Sequence, residues 1–118
     1  MVEIETFRQM VLSLPEITEQ PHADKRSFKV AKKIVATLNA KENRACLKLS
    51  ELDQDLFSAF DKTVIYPVPN KWGKQGWTLV NLGKVEPETL RDALNAAYCE
   101  VAPKKLAALI RSDSDIDL

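Results

Sequence analysis

The chain has one histidine, two cysteines, no net charge and no long apolar run, and each shortage closes off a class of function. No stretch approaches the roughly 18 consecutive apolar residues that a membrane helix needs. The start, MVEIETFRQM, lacks the basic-then-apolar pattern of a secretory leader, so a cytoplasmic location is expected. Cys46 and Cys99 have no metal-type partner spacing and read as buried, reduced thiols. His22, in EQPHADK, has no Cys, Asp or Glu at ligand spacing, so neither a metal nor a cofactor is expected. With one histidine the general-base options are few. Ser13 and Ser27 lack a nucleophile-elbow context, and Asp53 and Asp55, two apart on a helix, do not face one another. No catalytic residue is assigned, and the expectation is a non-enzyme. Seventeen basic residues balance seventeen acidic ones, which argues against capture of nucleic acid by bulk charge. No internal repeat or low-complexity tract is present.

The charge is unevenly placed. Residues 20 to 50 hold eight basic and two acidic side chains, a net of +6. Residues 62 to 85 hold Lys62, Lys71, Lys74 and Lys84 with no acid, a net of +4. The first 19 residues, 51 to 61 and the tail after Arg111 are acidic. Such asymmetry can give one face a positive potential in a neutral protein, although the same pattern also suits a merely solvated sheet surface.

At 118 residues one domain is expected, over 1 to 111, with a frayed acidic tail from 112 to 118. Ile4, Phe7, Met10, Val11 and Leu14 recur at helical spacing, closed by Pro15. A polar link over 16 to 26 follows. Three strand patterns come next, at 27 to 31, 34 to 39 and 44 to 49, with period-two alternation that places Lys29, Arg44 and Lys48 on the outer face. The first reversal, AKKI, lacks the Gly or Asn that a two-residue hairpin prefers, so a looser loop of three or four residues is expected, tipped by Lys32 and Lys33. Ser50 and Asp53 open a short helix with Leu52, Leu56 and Phe60 as its apolar stripe. Strand 63 to 68 is limited to an edge or an ending by Pro67 and Pro69. Strand 77 to 82 is the last, and a helix with Pro87 in its first turn buries Leu90, Leu94, Ala97, Tyr98 and Val101. Pro103 begins or kinks a final helical piece. The order is α-β-β-β-α-β-β-α-α, an α+β fold in which an antiparallel sheet of about five strands has its helices on one face.

The segment YPVPNKWGKQGWTLV, 66 to 80, bridges the last two strands. It is not a phosphate loop, because Val68 stands where the first Gly belongs and Gln75 replaces the magnesium-holding Ser or Thr. An extended hairpin loop is expected, with Lys71, Lys74 and Gln75 outward, Trp77 in the core, and Trp72 capping the core edge or exposed. Basic residues interleaved with an aromatic suit phosphate contact plus stacking or groove insertion.

FRQMVLSLPEITEQPH, SFKVAKKIVATLN, ACLKLS, YPVPNKWGKQGWTLVNLGKV and LRDALNAAYCEVAPKKLA, in this order, resemble the MmcQ/YjbR family over about residues 5 to 111. The resemblance implies a compact fold similar to that of frataxin (CyaY-like) and DNA binding through a double wing of hairpins. Lys32-Lys33 departs from the Gly-Lys common in the family's first hairpin, and WGKQG makes the second wing look longer. Frataxin-like iron binding would need an acidic ridge on the first helix, for which Glu3 and Glu5 are too thin a basis. The reading is a non-enzymatic domain that binds double-stranded DNA weakly and with strong salt dependence. Its contacts would be Lys29, Lys32, Lys33, Arg44, Lys48, Lys71 and Lys74 on phosphates, with Trp72 or Gln75 toward a groove. The alternative is a protein- or small-ligand-interaction module using the Trp72 loop and the edge strand.

Overall fold

The structure is a computed structural model that describes the backbone of residues 1 to 115 and the side chains of 1 to 110 apart from His22. Its elements are α1 (Ile4–Leu12), β1 (Thr18–His22), β2 (Lys25–Val30), β3 (Lys33–Asn39), β4 (Arg44–Lys48), α2 (Glu51–Ser58), β5 (Ile65–Pro67), α3 (Lys71–Lys74), β6 (Trp77–Asn81), α4 (Pro87–Val101) and α5 (Lys104–Asp115). Six strands form one antiparallel sheet in the order β1-β2-β3-β4-β6-β5. Part of the tail expected to fray, from 112, is the end of α5, and residues 116 to 118 lie outside the described ones.

One face of the sheet is packed. Phe28, Val30, Val35, Ala36, Leu38, Ala45, Leu47 and Val80 are buried against Phe7 and Val11 of α1 and Leu90, Ala93, Leu94, Ala97 and Tyr98 of α4. Phe7 meets Phe28 edge to face at 5.9 Å. Pro87 occupies the first turn of α4, where its missing N–H costs nothing. The Tyr98 hydroxyl donates to the Pro15 carbonyl at 2.7 Å, so two of the segments that carry the family resemblance are joined across the core. On the other face Thr37, Cys46, Lys48, Trp77 and Leu79 are only half-buried.

The polar link of 16 to 26 is largely a strand and a turn. TEQPH shows no apolar alternation, and β1 is held by pairing with β2 and by the Glu19 carboxylate. That carboxylate accepts from Arg8 of α1 at 2.6 and 2.9 Å and lies 3.4 Å from Arg26. Both hydrogen bonds hold Glu19 below the usual carboxylate range.

The reversal after β2 is tighter than its sequence suggests. Val30 pairs with Lys33, so only Ala31 and Lys32 turn the chain, at φ 49° and 69°, the left-handed backbone of a type I′ turn. Packing decides this. Phe28 and Val30 on one strand and Val35 and Ala36 on the other are all buried, and an irregularity beside Phe28 lets both Val35 and Ala36 point inward. A longer loop would shift that register.

Helix α2 also departs from its pattern. Ser50 caps it by accepting from the Asp53 N–H at 3.1 Å, as the motif suggests. The buried residues, however, are Gln54 and Ser58, while Leu52, Leu56 and Phe60 are 69%, 56% and 85% exposed. Gln54, whose amide serves the loop before β6, and Phe57, half-buried against the core, set this orientation together.

Candidate nucleic-acid interface

Two chain reversals lie at the same end of the sheet. One is the Ala31-Lys32 turn between β2 and β3; the other is the segment from β5 through α3 to β6. Their axes are three strand spacings apart, about 14 Å, close to the roughly 12 Å width of a DNA major groove. Between them β4 ends at Lys48.

The second reversal is a built structure and not the extended loop its composition suggests. Asn70 Oδ1 accepts from the Trp72 N–H at 2.8 Å and starts α3. A Cβ on Gly73 would press into the Val68 carbonyl, and one on Gly76, at φ 101°, into the Leu49 carbonyl. Gln54 Nε2 donates to the Gly73 carbonyl at 2.9 Å and to Thr78 Oγ1 at 3.0 Å. The Leu49 N–H donates to the Gly76 carbonyl at 2.9 Å, and the Lys48 ammonium donates to the Gln75 carbonyl.

Most of the expected contact residues gather here. Lys32 and Lys33 are exposed at the first tip; Lys71, Lys74 and Gln75 are exposed on the second. Lys29, half-buried, is one residue before Val30 at the same end. Trp72 is 50% exposed, with the Lys71 ammonium 5.8 Å from its ring centroid, a cation–π distance. Lys48 is partly committed to bracing Gln75. Trp77, expected in the core, is half-buried opposite Lys48 on the unpacked face, because Thr78 takes the inward position and is fully buried. Arg44 stands apart. It begins β4, four residues or about 13 Å from Lys48, beside Asn39, Lys25 and Asn81.

Residues outside the expected set complete this end. A groove of about 390 Å³ is lined by Lys33, Ile34, Lys48, Trp77, Glu100 and Val101. A second concavity of about 670 Å³ continues it past Ala31, Lys33, Cys99, Glu100 and Lys104. Lys104 arrives because Pro103 breaks α4 from α5 just where α4 reaches the first turn. The break is legible in the sequence, but its position against the sheet is not. The surface is not uniformly basic, since Glu100 lines both hollows and Glu51 opens α2 nearby.

Chemically this end offers ammonium groups, a half-exposed indole and carbonyls already in use. Among the described residues no three His, Cys, Asp or Glu side chains stand close enough to hold a metal. The His22 side chain lies outside the described ones. Burial pushes the Cys46 thiol up to about 11, so it is protonated and weakly nucleophilic at neutral pH. Among the described residues no helix is long and apolar enough to cross a membrane.

Comparison with known proteins matches the resemblance read from the motifs. The YjbR family model matches residues 12 to 100. The chain is similar in structure to the Deinococcus radiodurans protein DR2400, which carries the DUF419 domain: TM-score 0.75, 22% identity, with 93% of this chain and 88% of that one covered. No curated protein matches. With three-quarters of its length under the family model, the chain belongs to the YjbR family.

Proposed function

We propose that this protein is a non-enzymatic binder of double-stranded DNA, acting through the two wings at the Lys48 end of the sheet. One observation supports this above the others. In a chain of zero net charge, Lys32, Lys33, Lys71, Lys74 and Lys104 are exposed at one end, on two reversals spaced on the scale of a DNA groove. The wings would straddle phosphates, and Trp72 or Gln75 would reach toward base edges. With few directed polar groups, binding is weak, salt-sensitive and largely indifferent to sequence. Arg44, at the opposite end, falls outside this footprint.

The test is fluorescence anisotropy of a labelled duplex of about 20 base pairs and of its single strand, at low and at physiological salt. The expected outcome is saturable duplex binding that falls steeply with salt. Lys32→Glu with Lys71→Glu should abolish it. Unchanged affinity in that double variant overturns the two-wing mechanism.

A second reading has the half-exposed Trp72 as its support: a protein- or small-ligand-interaction module centred on α3. Its mark is affinity that ignores salt and collapses in Trp72→Ala.

A further inference from the structure

The unpacked face of the sheet holds side chains that the two wings leave unused. Phe28, Leu47 and Thr78 point toward the helices, so Lys29, Cys46, Lys48, Trp77 and Leu79 between them point the other way. These outward residues lie in rows about 7 Å apart along the strands. Lys25, Asn39, Arg44 and Asn81 make the first row; Thr37, Cys46, Leu79 and Tyr66 make the second. Lys29, Ile34, Lys48 and Trp77 make the third, at the wing end. Lys25 and Arg44 line one shallow hollow with Cys46 and Leu79.

We propose that this face binds single-stranded DNA, with phosphates over the cations of β2 and β4 and bases against Trp77 and Tyr66. Lys25 and Lys29 stand on β2, and Arg44 and Lys48 on β4, while the rings stand on β6 and β5. The strand order puts the cations on one side of the face and the rings on the other. A nucleic-acid backbone running along β2 to β4 therefore turns its bases toward β6 and β5. Tyr66 pairs with Leu79, so Tyr66 and Trp77 are diagonal cross-strand neighbours about 7–8 Å apart. That spacing lets one base touch both rings, or two successive bases take one each. Every base has a π-face, so this stacking is indifferent to sequence.

Charge selects an anion. Glu19 is the one carboxylate in the six strands, and it is turned to α1, where Arg8 donates to it. The strands thus give this face Lys25, Lys29, Arg44 and Lys48 and no acid. Asp24, Glu42 and Glu100 come from turns and from α4, at the two ends of the face. Shape selects the single strand. Half-buried rings on a sheet reach the face of a base only where it is unstacked, and a duplex keeps its bases stacked. Ile34, Cys46 and Leu79, around the rings, offer a 2′-hydroxyl no strong partner, which favours deoxyribose over ribose.

The face is separate from the wings. Lys25 and Arg44 lie at the far end of the sheet, outside the duplex footprint, and neither Trp77 nor Tyr66 belongs to it. The inference therefore stands without duplex binding. The Lys48 ammonium already donates to the Gln75 carbonyl, which leaves Lys25, Lys29 and Arg44 as the phosphate contacts to count. At about 0.7 per contact for a single strand, log affinity should fall against log salt with a slope of about −2.

Titration of the Trp72→Phe variant with oligothymidine tests this, because Trp77 is then the sole tryptophan. The expected result is saturable quenching of Trp77 emission, with a salt slope of about −2. Lys25→Glu with Arg44→Glu should weaken single-strand binding at least about 10-fold. The same pair should leave duplex affinity within about 2-fold, since both lie more than a Debye length from the wings at physiological salt. Trp77→Leu and Tyr66→Leu, with circular dichroism unchanged, should each lower single-strand affinity about 10-fold in anisotropy. Lys32→Glu with Lys71→Glu, which strips the wings of duplex, should leave the single strand bound. A protein that binds oligothymidine and no duplex keeps this inference and loses the two-wing reading. Unquenched Trp77, affinity indifferent to Lys25→Glu with Arg44→Glu, loss of the single strand in the wing variant, or tighter binding of oligouridine overturns the proposal.

Discussion

The two wings reach the same end of the sheet by opposite means. The first is bare: two residues, Ala31 and Lys32, turn the chain in a left-handed backbone that neither prefers, and the core beneath them imposes it. The second is scaffolded by an Asn cap, two glycines lying under carbonyls, a glutamine from α2 and a lysine from β4. The first therefore stores strain at its tip, while the second holds Lys71, Trp72 and Lys74 in a fixed frame. Similar charge thus rests on two very different backbones. Substitutions that touch only backbone conformation will separate them.

The largest effect is expected at the scaffold. Gly76→Ala asks a Cβ to enter the space of the Leu49 carbonyl at a φ of 101°, so either the loop or the β4–β6 pairing must move. A loss of about 3 kcal/mol or more is expected in urea denaturation. A loss under about 1 kcal/mol would mean that the second wing is as adaptable as the first. The opposite change is expected at the bare tip. Ala31→Asn with Lys32→Gly supplies residues suited to a left-handed turn and should stabilise the fold by about 1–2 kcal/mol. The same double variant removes one ammonium, so DNA affinity should fall while stability rises. If both rise together, Lys32 does not touch phosphate.

What the sequence made legible follows from what was local. Helix α1, the cap at Ser50, Pro87 at the start of α4 and the alternation of β4 all rest on residues within a turn or a strand of one another, and they stand in the structure. The surprises came from distant partners. The TEQPH strand pairs through its backbone and an ion pair reaching back to α1. The tight turn at Ala31 is dictated by Phe28 and Val35. The orientation of α2 is chosen by Gln54 reaching Gly73, nineteen positions on, together with Phe57 on the core, and it leaves Leu52 and Leu56 outside. Periodicity reports which face of a helix is apolar; it does not report that a buried amide elsewhere needs the opposite face. The basic end was half legible for the same reason. Parity put Arg44 and Lys48 on one face of β4, but the two are at opposite ends of it, and Lys104 joins the cluster only through the fold.

The smallest expected effect asks whether Lys48 belongs to the scaffold or to the contact surface. Its ammonium donates to the Gln75 carbonyl, which fixes the end of α3 against β4, yet an ammonium has further donors to offer a phosphate. Lys48→Met keeps most of the aliphatic stem and removes the donor. A brace of this kind contributes about 1 kcal/mol to stability, and its loss should show as a matching fall in urea denaturation. In DNA binding, a pure brace leaves the slope of log affinity against log salt unchanged. Lys71→Met, which deletes an exposed ammonium whose partner among the described residues is the Trp72 ring, should lower that slope by about one contact. If Lys48→Met lowers the slope as much as Lys71→Met while stability holds, the ammonium is a phosphate contact, and the second wing is held by Asn70, Gln54 and its glycines alone.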